Sequence, residues 1–200
     1  RGLQLTHQGR NQLGDGVAEG KMGGRLSRFG VEVVEEMNRL GMMIGVSHLS
    51  ANGIFHAAEI TKKPIASTHT NIQKFINTPR QHSDDELKAL ASTGGVVGVR
   101  YIEGQTSYDM LADEIEYMVE LIGIDHIGIG WLGHDIGHPR VGQVPGFTEE
   151  SPPGEVEKQS MKDHWTRFLG ILENRGFGRE DITKILGGNF LRIWQDILPD

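Results

Sequence analysis

Two histidines, His48 and His69, each end a short apolar run of the sequence. The runs read GMMIGVSH and PIASTH, and the spacing of the histidines is that of one strand-helix-strand repeat. Adjacent parallel strands lie about 4.8 Å apart, so side chains at their ends are close enough to share a metal ion. Imidazole is a preferred ligand of zinc and similar divalent ions. For either histidine alone, a hydrogen-bonding role in the core or in a loop remains an alternative.

His7 ends a third run, GLQLTH, and Arg80 lies in the loop after the His69 run. Functional groups of parallel α/β folds gather at the carboxyl ends of the strands. His7 in an equivalent position therefore favours a metal or catalytic role for all three strand-end histidines. Arg80 at the same end of the fold could hold a carboxylate through two parallel hydrogen bonds. Its alternative is a surface cation that pairs with Asp84 or Asp85.

The remaining histidines divide into two groups. Two lie on the functional side, in the Gly/Pro-rich segment that follows the last apolar run, and either a site role or a loop role suits them: His134 and His138. For the other four we predict structural or solvent-exposed roles: His56, His82, His126 and His164.

Five short apolar runs alternate with amphipathic segments, which is the pattern of consecutive βαβ units around a parallel sheet. We predict strands at 2–7, 41–48, 64–69, 94–102 and 126–130. We predict helices at 25–40, 51–63, 83–93, 107–123, 156–176 and 179–198. Near-continuous apolar strands indicate a sheet covered on both faces, as in a barrel or a doubly wound fold. A closed barrel of eight strands takes about 250 residues, so we expect residues 1–200 to be a single domain within a longer protein.

Composition excludes several classes of function. A formal net charge of -7 and a pI near 5.7 provide no basic surface for nucleic acid. No apolar run approaches the roughly 20 residues that span a bilayer. Without cysteine, any metal must be held by histidine and carboxylates. The Gly-rich stretch GDGVAEGKMGG lacks the Gly-Lys-Ser/Thr ending of a phosphate-binding loop.

An ordered series of motifs along the chain resembles the membrane dipeptidase (renal dipeptidase) family of zinc metallopeptidases. The motifs are LTHQGRNQLGDG, FGVEVVEEMNRLGMMIGVSHLS, PIASTHTN, PRQHSDDELKALASTGGVVGV, HIGIG and ILGGNFLRIW. The resemblance implies an amidohydrolase-type (β/α)8 TIM barrel, of which this chain holds about the last five β/α units. It also implies two zinc ions, bridged by a glutamate, and a small dipeptide as substrate.

The resemblance also assigns roles to individual residues. It makes His48 and His69 ligands of one zinc ion, and it makes His7 a partner of the scissile carbonyl and of the oxyanion formed from it. Arg80 would bind the substrate carboxylate. The mechanism implied is attack by a metal-activated water.

The sequence departs from the family pattern at two places. The family's His-x-Asp pair and its bridging glutamate precede the LTH motif, in a region that this sequence does not contain. The family also reads Gly-x-Gly-x-Asp after its last strand, whereas Leu132 stands at the aspartate position here. We hypothesise that Asp135, the nearest carboxylate, transfers the proton instead.

Two other functions remain open beside the dipeptidase. One is a family member without activity that serves as a binding or assembly module. The other is an amidohydrolase that acts on another small amide, such as a lactam or an N-acyl amino acid. The sequence leaves a homodimer open and does not give the compartment.

Overall fold

Five parallel strands form one sheet, in which each strand pairs with the next one along the chain. The computed structural model describes residues 1–102, 105–132 and 161–198. Its strands are β1 (Gly2–Gln4), β2 (Met43–Gly45), β3 (Ile65–Thr70), β4 (Val96–Arg100) and β5 (Ile127–Trp131). A doubly wound sheet reverses its strand order at one point, whereas the wall of a barrel does not. The sequential order therefore confirms the predicted partial TIM barrel.

The described residues contain seven α-helices where the sequence predicted six, because the last predicted helix is divided in two. They are α1 (Arg28–Leu40), α2 (Ala51–Ile60), α3 (Asp84–Ser92), α4 (Tyr108–Ile122), α5 (Met161–Asn174), α6 (Arg179–Thr183) and α7 (Asn189–Ile197). In α1 to α4 the N-cap residue is a serine whose hydroxyl accepts a hydrogen bond from a backbone N–H of the first turn. The predicted helix over 179–198 is interrupted by a π-helical turn at Lys184–Gly188, because two adjacent glycines weaken the α-helix there.

The two faces of the sheet pack against different helices. On one face, strand residues such as Ile44, Ile65 and Val97 join a large apolar core with α1 to α5. On the other face, Ala66 and Val96 near the starts of their strands pack against α7 in a smaller buried cluster. This leaves the opposite ends of the strands for the site. None of the described helices is long and apolar enough to cross a membrane.

Strand β3 carries an irregularity just where the predicted ligand lies. Its pairing register with β4 shifts between Ser67 and Thr70. There the carbonyl oxygen of Thr68 lies close to Gly98 of the adjacent β4 and to Gly130 of β5, and an added Cβ would come within 2.5 Å of it at Gly98 and 2.1 Å at Gly130. The path of the chain through His69 therefore requires glycine at both positions.

The first two strands are shorter than predicted, because the backbone turns before each histidine. β2 ends at Gly45, and the bond from Leu49 N to Val46 O, at 3.0 Å, closes a turn that contains His48. Likewise β1 ends at Gln4, so His7 lies in the loop that follows. Both histidines thus extend from loops at the carboxyl end of the sheet.

Candidate active site

His48 and His69 direct their Nε2 atoms at each other across 2.9 Å. His48 lies in the turn after β2 and is buried, and half-buried His69 lies in β3. Their ring centroids are 5.0 Å apart with an interplanar angle of 59°. The two residues that the sequence places at neighbouring strand ends are therefore brought together with converging ring nitrogens.

His7 lies on the outer side of this pair. Its ring centroid is 4.4 Å from that of His48, and the planes are tilted by 36°. Unlike the buried His48, His7 is exposed. His7 therefore lies beside the pair and is not enclosed by the described residues.

Arg80 is a buried part of the cluster. Only 6% of its surface is exposed, so it is no surface cation. Its Nη2 donates to the carbonyl oxygen of His69 at 3.0 Å and lies 3.3 Å from Nε2 of His48. The loop from β3 to α3 carries it back to the site, held by the bonds from Asn71 N to Gln81 Oε1 and from His82 N to Asn71 O.

Hydrogen bonding determines which nitrogen of His48 carries the proton. Nδ1 lies 3.4 Å from the Gln8 side-chain oxygen, which only accepts, while the Arg80 guanidinium only donates to Nε2. The proton is therefore assigned to Nδ1. His48 Nε2 therefore carries a lone pair and no proton, which is the form in which histidine binds a metal.

Both histidines are held in the neutral state. Burial, followed by the positive charge of Arg80, lowers the pKa of His48 from 6.5 to about 2. The same two causes, in the same order, lower the pKa of His69 to about 4. A metal binds neutral imidazole. Because both rings are already neutral at pH 7, neither has to give up its positive charge before an ion binds.

These residues fit part of a metal site. Two neutral imidazoles with converging nitrogens are suitable donors for zinc, but a zinc shell takes four ligands. Within residues 1–102, 105–132 and 161–198, no group of three or more histidine or carboxylate side chains could hold an ion. His48 and His69 thus match two ligands of a larger set.

Leu132, which the motif comparison aligns with the family's aspartate, is 4% exposed and belongs to the main apolar core. The leucine side chain has no acidic proton to transfer. The hypothesis for Asp135, and the open roles of His134 and His138, concern residues outside the described part of the chain.

A layer of polar side chains behind His69 was not predicted from the sequence. The hydroxyl of Thr68 lies 2.9 Å from His69 Nδ1, and buried Ser47 and Ser67 continue the contacts inward. His82, for which the sequence predicted only a structural or solvent-exposed role, is 1% exposed and lies between Ser67 and Glu86.

Glu86 is the charged end of this layer. Burial would raise its pKa, but hydrogen bonding and charge from His82, together with bonds from Ser83, lower the pKa overall. The same carboxylate completes the capping box of α3 with Ser83. The capping residues were visible in the sequence as SDDE, but the contact with His82 was not.

The other histidines outside the cluster have local surroundings. His126 Nδ1 lies 2.8 Å from the Gly95 carbonyl oxygen, and His164 is buried against the Tyr108 hydroxyl. His56 is half-buried in α2, where burial lowers its pKa.

The fold and the cluster together define a class of protein. A parallel barrel wall, with imidazoles that converge at the carboxyl ends of its strands, is the arrangement of a TIM-barrel enzyme, in which the active site lies at that end. The family model of the membrane dipeptidases (peptidase family M19) matches residues 1–198. The chain therefore belongs to the membrane dipeptidase family, as the motifs indicated.

Individual relatives agree with this assignment. A dipeptidase of Clonostachys rogersoniana, verJ, is 35% identical over 206 residues, which cover 98% of this chain and 48% of that protein. An uncharacterised dipeptidase of Schizosaccharomyces pombe is 28% identical, with coverage of 98% and 46%. The chain spans about half the length of these two relatives.

A solved structure has a similar fold. The crystal structure of an amidohydrolase from Pseudomonas aeruginosa superposes with a TM-score of 0.80 at 29% identity, and the match covers 100% of this chain and 65% of that one.

Proposed function

We propose that this chain is part of a zinc-dependent dipeptidase that hydrolyses the peptide bond of small dipeptides with a metal-activated water. The observation that carries the proposal is the 2.9 Å approach of the two Nε2 atoms with the Arg80 guanidinium 3.3 Å from one of them. This meeting of two ring nitrogens and a guanidinium supports the proposed roles of metal donor for the histidines and of carboxylate binder for Arg80. Membership of the family supplies the reaction class.

His48 and His69 would hold one of two zinc ions. Bound zinc supplies a water of lowered pKa and polarises the carbonyl to be attacked. The residues of this chain prepare that chemistry by keeping two neutral imidazoles pointed at one position. The further ligands would come from outside the described residues.

Arg80 and His7 would bind two different parts of the substrate. The buried guanidinium of Arg80 suits the free carboxylate of a dipeptide, because charge-assisted bonds are stronger away from water. His7, exposed beside His48, would donate a hydrogen bond to the oxyanion. One well-placed donor of this kind contributes about 3 kcal/mol to transition-state stabilisation.

Asp135 would transfer the proton to the leaving amine. The support is indirect: buried Leu132 carries no acid at the family position, and Asp135 is the nearest carboxylate along the sequence.

The test is turnover of a dipeptide panel by the complete protein, with and without added zinc, beside His69→Ala and the control His56→Ala. We expect about two zinc ions per polypeptide, activity that depends on them, and loss of activity with His69→Ala alone. His56 is a matched control because it is a half-buried histidine in α2, outside the cluster. Equal rates for the wild type and His69→Ala would exclude the proposed mechanism.

Leu132 supports a second candidate, a family member with altered or lost activity. A panel that adds lactams and N-acyl amino acids separates the two cases. Turnover of these amides but not of dipeptides would assign a different substrate class. Stoichiometric zinc without any turnover would favour a binding module.

A further inference from the structure

A continuous chain of polar side chains runs from His69 into the protein interior. His69 Nδ1 lies 2.9 Å from Thr68 Oγ1, and Thr68 Oγ1 lies 3.1 Å from Ser47 Oγ. The chain continues through Ser67 Oγ at 3.4 Å, His82 Nε2 at a further 2.8 Å, and Glu86 Oε1, which is 3.4 Å from His82 Nδ1. Four of these six groups, all those beyond Thr68, are buried.

The direction of most of these hydrogen bonds is determined by the partners. Ser47 Oγ accepts from the backbone N–H of His69 at 3.1 Å and from the Ser67 hydroxyl. Its own proton is therefore available for Thr68. Because Ser67 donates to Ser47, it accepts from Nε2–H of His82. The Ser47 hydroxyl, at the outer end of the buried polar side chains, thus donates a hydrogen bond to Thr68 Oγ1.

Thr68 can accept that bond and still interact with His69 in either direction. A hydroxyl has one proton and two lone pairs, so Thr68 Oγ1 can donate to His69 Nδ1 or accept a second bond from it. Without a metal, His48 Nε2 carries no proton, and the 2.9 Å contact requires one on His69 Nε2. In this state Thr68 donates to Nδ1.

A metal on His69 requires the reverse direction, in which Thr68 Oγ1 accepts a hydrogen bond from His69 Nδ1. When an ion takes the Nε2 lone pair of His69, the ring proton must reside on Nδ1 and needs an acceptor. Thr68 Oγ1 supplies that acceptor, and its own hydroxyl proton can turn to solvent because Thr68 is only half-buried. Neither state leaves a buried polar group of His69 without a partner.

We propose that Thr68 is a positioning residue that lets His69 adopt its metal-binding tautomer, and that the Ser47–Ser67–His82 chain orients the Thr68 hydroxyl for this role. The inference rests on the proposed function, since it takes His69 as a metal ligand. Partners of metal-ligating histidines typically change metal affinity by 10- to 100-fold when they are removed.

The test compares zinc affinity, measured by competition with a chromophoric chelator, in the complete wild-type protein and three variants. Thr68→Val keeps the branched shape but lacks the hydroxyl, and Thr68→Ser restores the hydroxyl. Thr70→Val is the matched control, because Thr70 lies in the same strand as Thr68 and the substitution removes a buried hydroxyl, which donates to Asn71 O. We expect 10- to 100-fold weaker binding for Thr68→Val, and less than threefold change for the other two.

A second measurement needs no variant. Nitrogen-15 NMR of the histidine rings should show the His69 proton on Nε2 in the metal-free protein and on Nδ1 after zinc is added. A metal-free His69 that already carries its proton on Nδ1 would overturn the inference, as would a Thr68→Val variant that binds zinc as tightly as wild type. If the wild type itself binds no zinc, the proposed function fails as well. If the wild type and Thr68→Val bind zinc equally tightly, the inference alone fails, so the two failures are distinguishable.

Discussion

Glu114 of α4 accepts a hydrogen bond from Asn71 Nδ2 at 2.9 Å, and this contact joins a helix to the loop that leads from His69 to Arg80. The second carboxylate oxygen accepts from the backbone N–H of Ile72 at 3.3 Å. Asn71 also donates to the carbonyl oxygen of Arg100 at the end of β4. A fully buried carboxyl thus fixes the start of the loop that carries the proposed carboxylate-binding residue.

Replacement of this carboxyl should alter how stability depends on pH. Burial raises the pKa of Glu114 from 4.5 to about 7, against the opposing effect of bonds from Asn71 and Ile72. The folded protein therefore holds this proton more tightly than the unfolded chain does. The resulting stabilisation is present below about pH 4.5 and is lost as pH rises through about 7, on the order of 3 kcal/mol in total.

Urea unfolding at pH 5 and pH 8 checks this. In Glu114→Gln the side-chain NH₂ group faces either Asn71 Nδ2 or the backbone N–H of Ile72, both of which are donors. We therefore expect the substitution to lower the free energy of unfolding by about 1–3 kcal/mol at pH 5. The difference from wild type should shrink at pH 8, where the wild type has lost its own contribution. Glu120→Gln, at an exposed site of the same helix, should differ from wild type at neither pH. An equal deficit of Glu114→Gln at both values would contradict the pKa argument.

Gly130→Ala should disturb the site through the backbone of β3. The added Cβ would lie 2.1 Å from the Thr68 carbonyl oxygen, and a backbone atom cannot move aside as a flexible side chain can. We expect a loss of about 1–3 kcal/mol in unfolding free energy, together with weaker zinc binding. Gly170→Ala is the control, because it lies in α5 with nothing within 4 Å of the new methyl group. A Gly130→Ala variant with unchanged zinc affinity would show that β3 tolerates the shift.

Arg80→Lys should weaken recognition of the substrate carboxylate while the charge is kept. Lysine cannot present two parallel N–H groups to a carboxylate, so we expect kcat/KM for dipeptides to fall by about 10- to 100-fold. The comparison substrate is the same dipeptide with a C-terminal amide, which lacks the carboxylate charge. Wild-type protein should prefer the acid strongly and the variant should not. Equal rates for acid and amide with the wild type would remove Arg80 from the role of carboxylate binder.

Ile193→Ala should lower the stability of the fold, although Ile193 does not belong to the histidine cluster. Ile193 is fully buried in the cluster between α7 and the sheet, and truncation of such a residue costs about 2–5 kcal/mol. Leu191, on the same helix, is 66% exposed, so Leu191→Ala should change stability by less than about 0.5 kcal/mol. Thermal or urea unfolding of both variants measures the difference. Similar effects of the two substitutions would mean that α7 does not pack as described.

The sequence predicted those features that depend on local pattern. Strands β2 to β5 were visible as apolar runs, and the start of α3 was visible from Ser83 and the acids after it, because strand burial and helix capping both act on neighbouring residues. The alternation of elements predicted a parallel sheet that could belong to a barrel or to a doubly wound fold, and the resemblance to the dipeptidase family implied the barrel. Right-handed crossovers occur in both folds, so the pairing order β1-β2-β3-β4-β5 became visible only in the structure.

The features that the sequence did not predict depend on contacts between distant segments. Glu114 is one of several acids in an amphipathic helix, and only the fold shows that it faces Asn71. His82 precedes a helix cap, which suggested a structural residue, and its contact with Ser67 arises because the loop returns to β3. Thr68 gave no signal beyond its place beside His69.

The packing of α7 on Ala66 and Val96 has a consequence for the order of events during synthesis. Ala66 lies in the strand that ends at His69, whereas Ile193 and Ile197 are among the last residues that the structure describes. Contacts between segments so distant along the chain form late and slow folding. On the ribosome, β3 would therefore emerge with one of its faces uncovered and would wait for translation of α7 before that face is buried. A nascent chain stalled before α7 should expose an apolar surface that chaperones recognise, although every residue of the histidine cluster has already been made.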